Sequence, residues 1–184
     1  MRLRATVAAL ATALLLVGCS DDGDDEKDSA APSGSEPTAE VSELVANGLG
    51  ELAAGEDEHA RTTFEEVLEL DAQNLYALYN LGVIAQGGGD DDAARDYYER
   101  ALAAQDDYVP AMFNLAIVLE TSDLDRSVQL YRDVLEHDEE MAAAHMRLGF
   151  ALVHRGEEDE GAEHLERGVA LDPAMAEIEA PTYD

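Results

Sequence analysis

The sequence predicts an all-α protein in which similar helix pairs stack one after another, and a regular spacing of small residues is the main reason. Small residues recur in two series with intervals of 33 or 34 residues. The first series consists of Gly48, Gly82, Ala116 and Gly149, and the second of Ala60, Ala94, Ser127 and Gly161. A large apolar residue follows four positions after each member of the second series. Such periods are typical of stacked units, each of which needs its neighbours to bury its apolar face.

The composition fits one domain and excludes several classes of function. The chain has 184 residues, of which 42 are acidic and 11 are Lys or Arg, for a formal net charge of −31. Nucleic acids and anionic lipid surfaces attract basic patches, so we expect neither as an electrostatic partner. Apolar residues make up 46%, which is enough for a folded core. The single cysteine, Cys19, excludes a disulfide framework and a cysteine-based metal site.

The first 18 residues have the pattern of a signal peptide. Arg2 and Arg4 form a positive start, and the apolar stretch 5–17 follows them. Thirteen helical residues span about 20 Å, whereas the hydrocarbon core of a bilayer is about 30 Å thick. We therefore predict a signal peptide over residues 1–18 and not a lasting membrane span.

This segment ends in Leu16-Val17-Gly18-Cys19, which resembles the lipobox of bacterial lipoproteins. The resemblance implies that Cys19 carries a diacylglyceryl group and becomes the N-terminus after cleavage. The protein would then be extracytoplasmic and lipid-anchored to the cell membrane of a bacterial envelope, because two or more acyl chains hold a protein stably. The alternative is an ordinary secretory signal in which the cysteine occurs by chance.

Residues 19–40 predict an acidic, disordered tether. The segment is rich in Asp, Ser, Gly and Pro and has no apolar periodicity. Its like charges repel one another, so we expect an extended and solvated chain with an average reach of roughly 25 Å.

The repeating part of the chain resembles the tetratricopeptide repeat family, whose consensus runs Leu-Gly, then Ala-x-x-x-Phe, then Pro. The matching pieces are Leu81-Gly82, Leu148-Gly149, Ala60-x-x-x-Phe64, Ala94-x-x-x-Tyr98 and Leu171-Asp172-Pro173. The resemblance implies a right-handed solenoid of about four helix-turn-helix repeats over residues 41–175, in a bacterial lipoprotein. The predicted repeats are 41–74, 75–108, 109–141 and 142–175.

Turns and caps can be placed within this frame. The turns inside the four repeats are predicted at 54–57, 87–90, 121–123 and 155–157, where glycine or a capping residue precedes an acidic first helical turn. At the end of the array, Asp172 and Pro173 predict the start of a short capping helix over 174–180. Met175 and Ile178 are expected to face back onto the last repeat, and residues 176–184 form the end of this helix and a tail.

No catalytic or metal-binding pattern emerges. The five histidines are His59, His137, His145, His154 and His164, and none is paired at the His-x-x-x-His spacing. The acidic runs 90–92 and 157–160 are more typical of solvated first helical turns than of catalytic carboxylates, which need burial. We therefore predict a protein that is not an enzyme and that has no cofactor and no metal.

The resemblance also indicates where a ligand would bind. In the family, the first helix of each repeat lines a concave groove, and four of its positions face the ligand. These positions give the predicted partner-binding residues Tyr76, Tyr79, Asn80, Val83, Phe113, Asn114, Ile117, Met146, Arg147 and Phe150.

Three kinds of contact would be available in this groove. Tyr79, Phe113, Met146 and Phe150 would form an apolar strip, which usually marks an interaction site. Asn80 and Asn114 would either pair with the backbone of an extended peptide or satisfy nearby backbone groups of the protein itself. Arg147 could take a carboxylate bidentately.

The predicted function is a non-catalytic protein–protein interaction adaptor. It would be anchored to the membrane by lipid and would bind a protein or peptide segment in the groove. The alternative is a self-associating structural lipoprotein of the cell envelope, which would be a homo-oligomer.

Overall fold

The computed structural model describes residues 38–183, which form eight α-helices and one 3-10 helix and no strand. The helices are α1 (Ala39–Ala54), α2 (Asp57–Leu70), α3 (Leu75–Gly88), α4 (Asp91–Ala104), α5 (Val109–Leu119), α6 (Leu124–His137), α7 (Ala142–His154), α8 (Glu158–Leu171) and the terminal 3-10 helix Pro173–Glu177. The predicted signal peptide, Cys19 and nearly all of the predicted tether lie outside the described residues. Within residues 38–183, no helix combines the length and apolar character needed to cross a membrane.

The helices pack in the order in which they occur along the chain. Each helix contacts the one before it and the one after it, and packing within the pairs α1–α2, α3–α4, α5–α6 and α7–α8 is more extensive than packing between pairs. The first helices α3 and α5 of neighbouring pairs also touch. The predicted all-α array of four helix pairs followed by a short helix is confirmed.

The turns inside the pairs rely on glycine and on acidic caps. Gly55 and Gly89 end α1 and α3 with φ values of 76° and 80°, in the left-handed region that side chains with a Cβ avoid. Asp90 and Asp123 precede α4 and α6, and the side chain of each accepts a hydrogen bond from a backbone N–H three residues later. The acidic turn residues are therefore helix caps.

The 34-residue period reflects close approach of the two helices of a pair. A Cβ placed on Gly82 would lie 2.5 Å from Cε1 of Tyr98, a fully buried ring on the partner helix. A Cβ on Gly48 would lie 2.8 Å from the ring of Phe64 in the same way. The aromatic ring occupies the space that the missing side chain leaves, and this explains why small and large residues recur together.

The core continues from one repeat to the next. Phe64 of the first pair shares a cluster with Leu81 of the second, and Leu78 and Tyr98 of the second share one with Leu115 of the third. The fourth pair joins through a cluster that contains Tyr131, Leu148 and Leu152. No helix pair buries its apolar face alone, as the periodicity indicated.

The end of the array differs in detail from the prediction. The capping helix is a 3-10 helix over Pro173–Glu177 and not an α-helix over 174–180. Ile178 adopts an extended conformation and is 45% exposed, so the expectation that it packs back on the last repeat is wrong. Pro181 explains part of the difference, because the residue before a proline avoids the α-helical region.

We expect Gly82→Ala to lower the free energy of unfolding by about 1–3 kcal/mol, because the new methyl group would overlap the buried Tyr98 ring. Gly87→Ala in the same helix is the matched control, since no atom lies within 4 Å of its Cβ position. That change should be neutral or stabilising by up to about 1 kcal/mol. Urea unfolding followed by circular dichroism measures both, and equal effects would contradict the close approach at Gly82.

Candidate functional site

The predicted binding residues lie on the first helices of the last three pairs, α3, α5 and α7, and we call the surface they form the candidate groove. Tyr76 is 55% exposed, whereas Asn80 and Met146 are buried at 9% and 4% exposure. The remaining residues are half-buried: Tyr79, Val83, Phe113, Asn114, Ile117, Arg147 and Phe150.

Met146 does not contribute to an exposed apolar strip, as had been expected. A Cβ placed on Gly168 of α8 would lie 2.7 Å from the Met146 sulfur, so the methionine packs into the space that this glycine leaves. The side chain therefore joins α7 to α8 in the interior of the last pair. The exposed part of the apolar surface on α7 is reduced to Phe150.

Tyrosines dominate the part of the groove between α3 and α5. The ring of Tyr79 lies 5.4 Å from that of Tyr108 in an edge-on arrangement, and its hydroxyl accepts a hydrogen bond of 3.4 Å from Nδ2 of Asn114. Burial raises the pKa of Tyr79, and burial together with the neighbouring tyrosines raises the pKa of Tyr108 to about 12. Both phenols therefore stay neutral, and this part of the groove is polar but uncharged.

The two asparagines have different environments. Nδ2 of Asn80 donates a hydrogen bond of 2.7 Å to the Tyr76 carbonyl oxygen one turn earlier, so this amide serves the backbone of its own helix. Asn114 instead links α5 to the Tyr79 hydroxyl on α3. Within residues 38–183, the Asn114 side-chain oxygen accepts no hydrogen bond. Asn114 is thus the better placed of the two to meet a peptide N–H.

Arg147 is already paired with a buried acid. Its Nη1 donates to Oε2 of Glu120 at 2.9 Å, and the Tyr131 hydroxyl donates to Oε1 of the same carboxylate at 2.7 Å. Glu120 is only 5% exposed. Burial raises its pKa, and the hydrogen bonds and the arginine act in the opposite direction. The positive charge that was expected to take a ligand carboxylate is largely compensated inside the protein.

Sequence reasoning missed Glu120, although a signal was present. Gln86 lies 34 residues earlier, and its side chain accepts a hydrogen bond of 2.8 Å from the Tyr98 hydroxyl. The pair Gln86–Tyr98 therefore corresponds to Glu120–Tyr131. An acceptor recurring at the end of a first helix, opposite a recurring tyrosine, could have identified the contact.

Two histidines meet between α7 and α8. Nδ1 of His145 lies 2.9 Å from Nδ1 of His164, and Nε2 of His145 lies 3.1 Å from the Glu139 carbonyl oxygen. Since a carbonyl only accepts, Nε2 of His145 carries a hydrogen, and in the neutral ring Nδ1 then accepts from His164. Burial, reinforced by His145, lowers the pKa of His164. The arrangement requires both rings to be neutral.

The acidic runs act as caps and ion-pair partners. Asp90 caps α4, and Glu160 accepts a hydrogen bond of 2.8 Å from Arg132. Within residues 38–183, no three His, Cys, Asp or Glu side chains come together as metal ligands.

A family model described as tetratricopeptide repeat matches residues 45–110 and 111–176. The chain belongs to the tetratricopeptide repeat family. A comparison with curated proteins finds no match. Stacks of such repeats present extended surfaces on which other proteins bind, so the fold is that of a protein-interaction scaffold.

Several solved structures share the fold. MamA from Desulfovibrio magneticus RS-1 aligns with a TM-score of 0.65 and 22% identity, over 73% of this chain and 76% of that one. PilF from Pseudomonas aeruginosa aligns at 0.64 and 22%, over 74% of this chain and 64% of that one. An O-GlcNAc transferase from Thermobaculum terrenum aligns at 0.58 and 22%, over 65% of this chain but only 23% of that one. At these identities the similarity concerns the fold alone.

The histidine pair predicts that stability falls as the solution becomes acidic. Because the folded state lowers the pKa of His164, the unfolded state binds more protons below about pH 6.5, and the free energy of unfolding therefore decreases as pH falls from 7.5 to 5.5. His164→Gln should remove part of this decrease, since its amide can donate to His145 without titrating.

The control for this measurement is His137→Gln, which changes an exposed histidine at the end of α6. Urea unfolding at a series of pH values compares both variants with the unchanged chain. An identical pH dependence for His164→Gln and for the unchanged chain would contradict the assignment of two neutral rings.

Proposed function

We propose that this chain is a non-catalytic adaptor that binds an extended segment of another protein along the candidate groove on α3, α5 and α7. The row of partly exposed apolar side chains on successive first helices carries the proposal. Its members are Tyr76, Val83, Phe113, Ile117 and Phe150. Asn114 lies within this row and keeps a side-chain oxygen to receive a backbone N–H.

The electrostatics favour a neutral or basic partner. The chain carries a formal net charge of −31, and the arginine on the groove is paired with Glu120. An acidic segment would therefore meet repulsion without a cation to compensate it, whereas a basic protein would be attracted over a distance. Apolar side chains would supply most of the affinity, since they remove the largest exposed apolar area from water.

Self-association is the alternative. Two copies would bring together surfaces of the same negative sign, which opposes association at low ionic strength. A self-associating chain should therefore form oligomers that become more stable as salt is added.

A photo-crosslinking experiment separates these possibilities. Tyr76 on α3 and Leu70 at the end of α2 have similar exposures of 55% and 53%, but only Tyr76 belongs to the groove. With p-benzoylphenylalanine at position 76, we expect a protein adduct of defined mass in intact cells, because a bound segment would lie against this side chain. The same probe at position 70 should give none.

An excess of unlabelled chain should reduce the adduct at position 76 by competing for the partner. An adduct that consists of two copies of this chain would favour self-association instead. Equal crosslinking from the two positions, or none from either, would reject the groove as the binding surface.

We further propose that lipid attached to Cys19 holds the array at the outer side of a bacterial membrane. The sequence Leu16-Val17-Gly18-Cys19 behind a charged and apolar start supports this proposal. The acidic segment that follows would keep the repeats away from an anionic membrane surface while the acyl chains hold the protein there.

Cys19→Ser should abolish incorporation of an alkyne-labelled fatty acid and move the protein from the membrane fraction to the soluble fraction, because no thiol remains to carry the lipid. Ser20→Ala, at the next position, is the control and should retain the label. An unchanged chain that carries no label and stays in the soluble fraction would refute the anchor.

A further inference from the structure

The chain continues beyond the terminal 3-10 helix without further regular structure and ends against the last two helix pairs. The ring of Tyr183 lies 4.7 Å from the ring of His154, with an angle of 31° between their planes. The same ring packs against the core cluster that contains Tyr131, Leu148 and Leu152. The tail therefore returns to the array instead of leaving it.

The position of Tyr183 coincides with one end of the candidate groove. His154 follows Arg147 by seven residues on α7, which places the two side chains on the same face of the helix. Phe113 and Ile117, two residues of the groove, pack against the same cluster as Tyr183. The tail thus covers the part of the groove that α5 and α7 form together.

The hydroxyl group of Tyr183 does not contribute to this contact. It is buried, and within residues 38–183 it has no hydrogen-bond partner. Burial and the nearby negative charge of Glu120 raise its pKa, so the group is neutral. A buried donor without a partner opposes the contact, and the ring alone provides the attraction.

Few other residues of the tail hold it in place. Ile178, Glu179, Ala180 and Thr182 are exposed, and only Pro181 and Tyr183 are half-buried. A segment with so few anchors can leave the surface without disturbing the helices.

We propose that α5 and α7 form a binding site for an aromatic side chain in an extended segment, and that Tyr183 of the chain's own tail fills this site. A partner that uses the whole groove could then occupy this end only after the tail has left. That last consequence rests on the proposed adaptor function, whereas the site itself does not. Because the hydroxyl lacks a partner, the site should accept phenylalanine better than tyrosine.

A labelled peptide with the sequence of residues 178–184 tests the proposal with the full chain. In the unchanged protein the tethered tail competes at an effective concentration of about a millimolar, which should weaken binding of the free peptide. We expect fluorescence anisotropy to show at least about tenfold tighter binding to Tyr183→Ala than to the unchanged chain. Tyr183→Phe is the matched control and should exclude the peptide as well as the unchanged chain does, or better.

The peptide itself provides a second comparison. Replacement of its tyrosine by phenylalanine should strengthen binding to the Tyr183→Ala chain, and replacement by alanine should abolish it. Equal binding to Tyr183→Ala and to the unchanged chain, or no binding to Tyr183→Ala at millimolar peptide, would overturn the proposal. Crosslinking from position 76 on α3 reports on the adaptor function separately, so either proposal can fail without the other.

Discussion

Close packing of an aromatic or branched side chain over a residue without a large side chain is the contact on which the array depends. Phe64 over Gly48 and Tyr98 over Gly82 bring the two helices of a pair closer than ordinary side chains would allow. Because the contact recurs at a constant interval, each pair presents its first helix in the same way. The alignment of α3, α5 and α7, and hence any surface they share, follows from it.

The same buried rings connect the interior to the groove. Tyr98 and Tyr131 carry their hydroxyl groups to acceptors at the ends of the preceding first helices, Gln86 and Glu120. In the third pair the acceptor is a carboxylate, and it in turn binds Arg147 of the fourth pair. Charge on the groove is thus determined by a contact that begins in the core, which makes the surface apolar and polar-neutral in character.

Local patterns predicted the fold well because each pattern reports a local constraint. The 34-residue spacing, the glycines at Gly55 and Gly89 and the acidic caps indicated the helices and their turns. The candidate site depended on contacts between distant residues, which spacing does not reveal. Met146 turned inward because Gly168 leaves space for it, and the seat of Tyr183 depends on the direction the chain takes after Pro181. Asn80 met its own helix for the reason that the sequence had offered as an alternative.

Native-state hydrogen exchange followed by mass spectrometry tests the central claim most directly, namely that each pair is stabilised through its neighbours. A stack of this kind predicts the strongest protection in α3 to α6, which have neighbours on both sides, and weaker protection toward α1 and the terminal 3-10 helix. Uniform protection of all eight helices, lost in a single step as denaturant is added, would contradict the account.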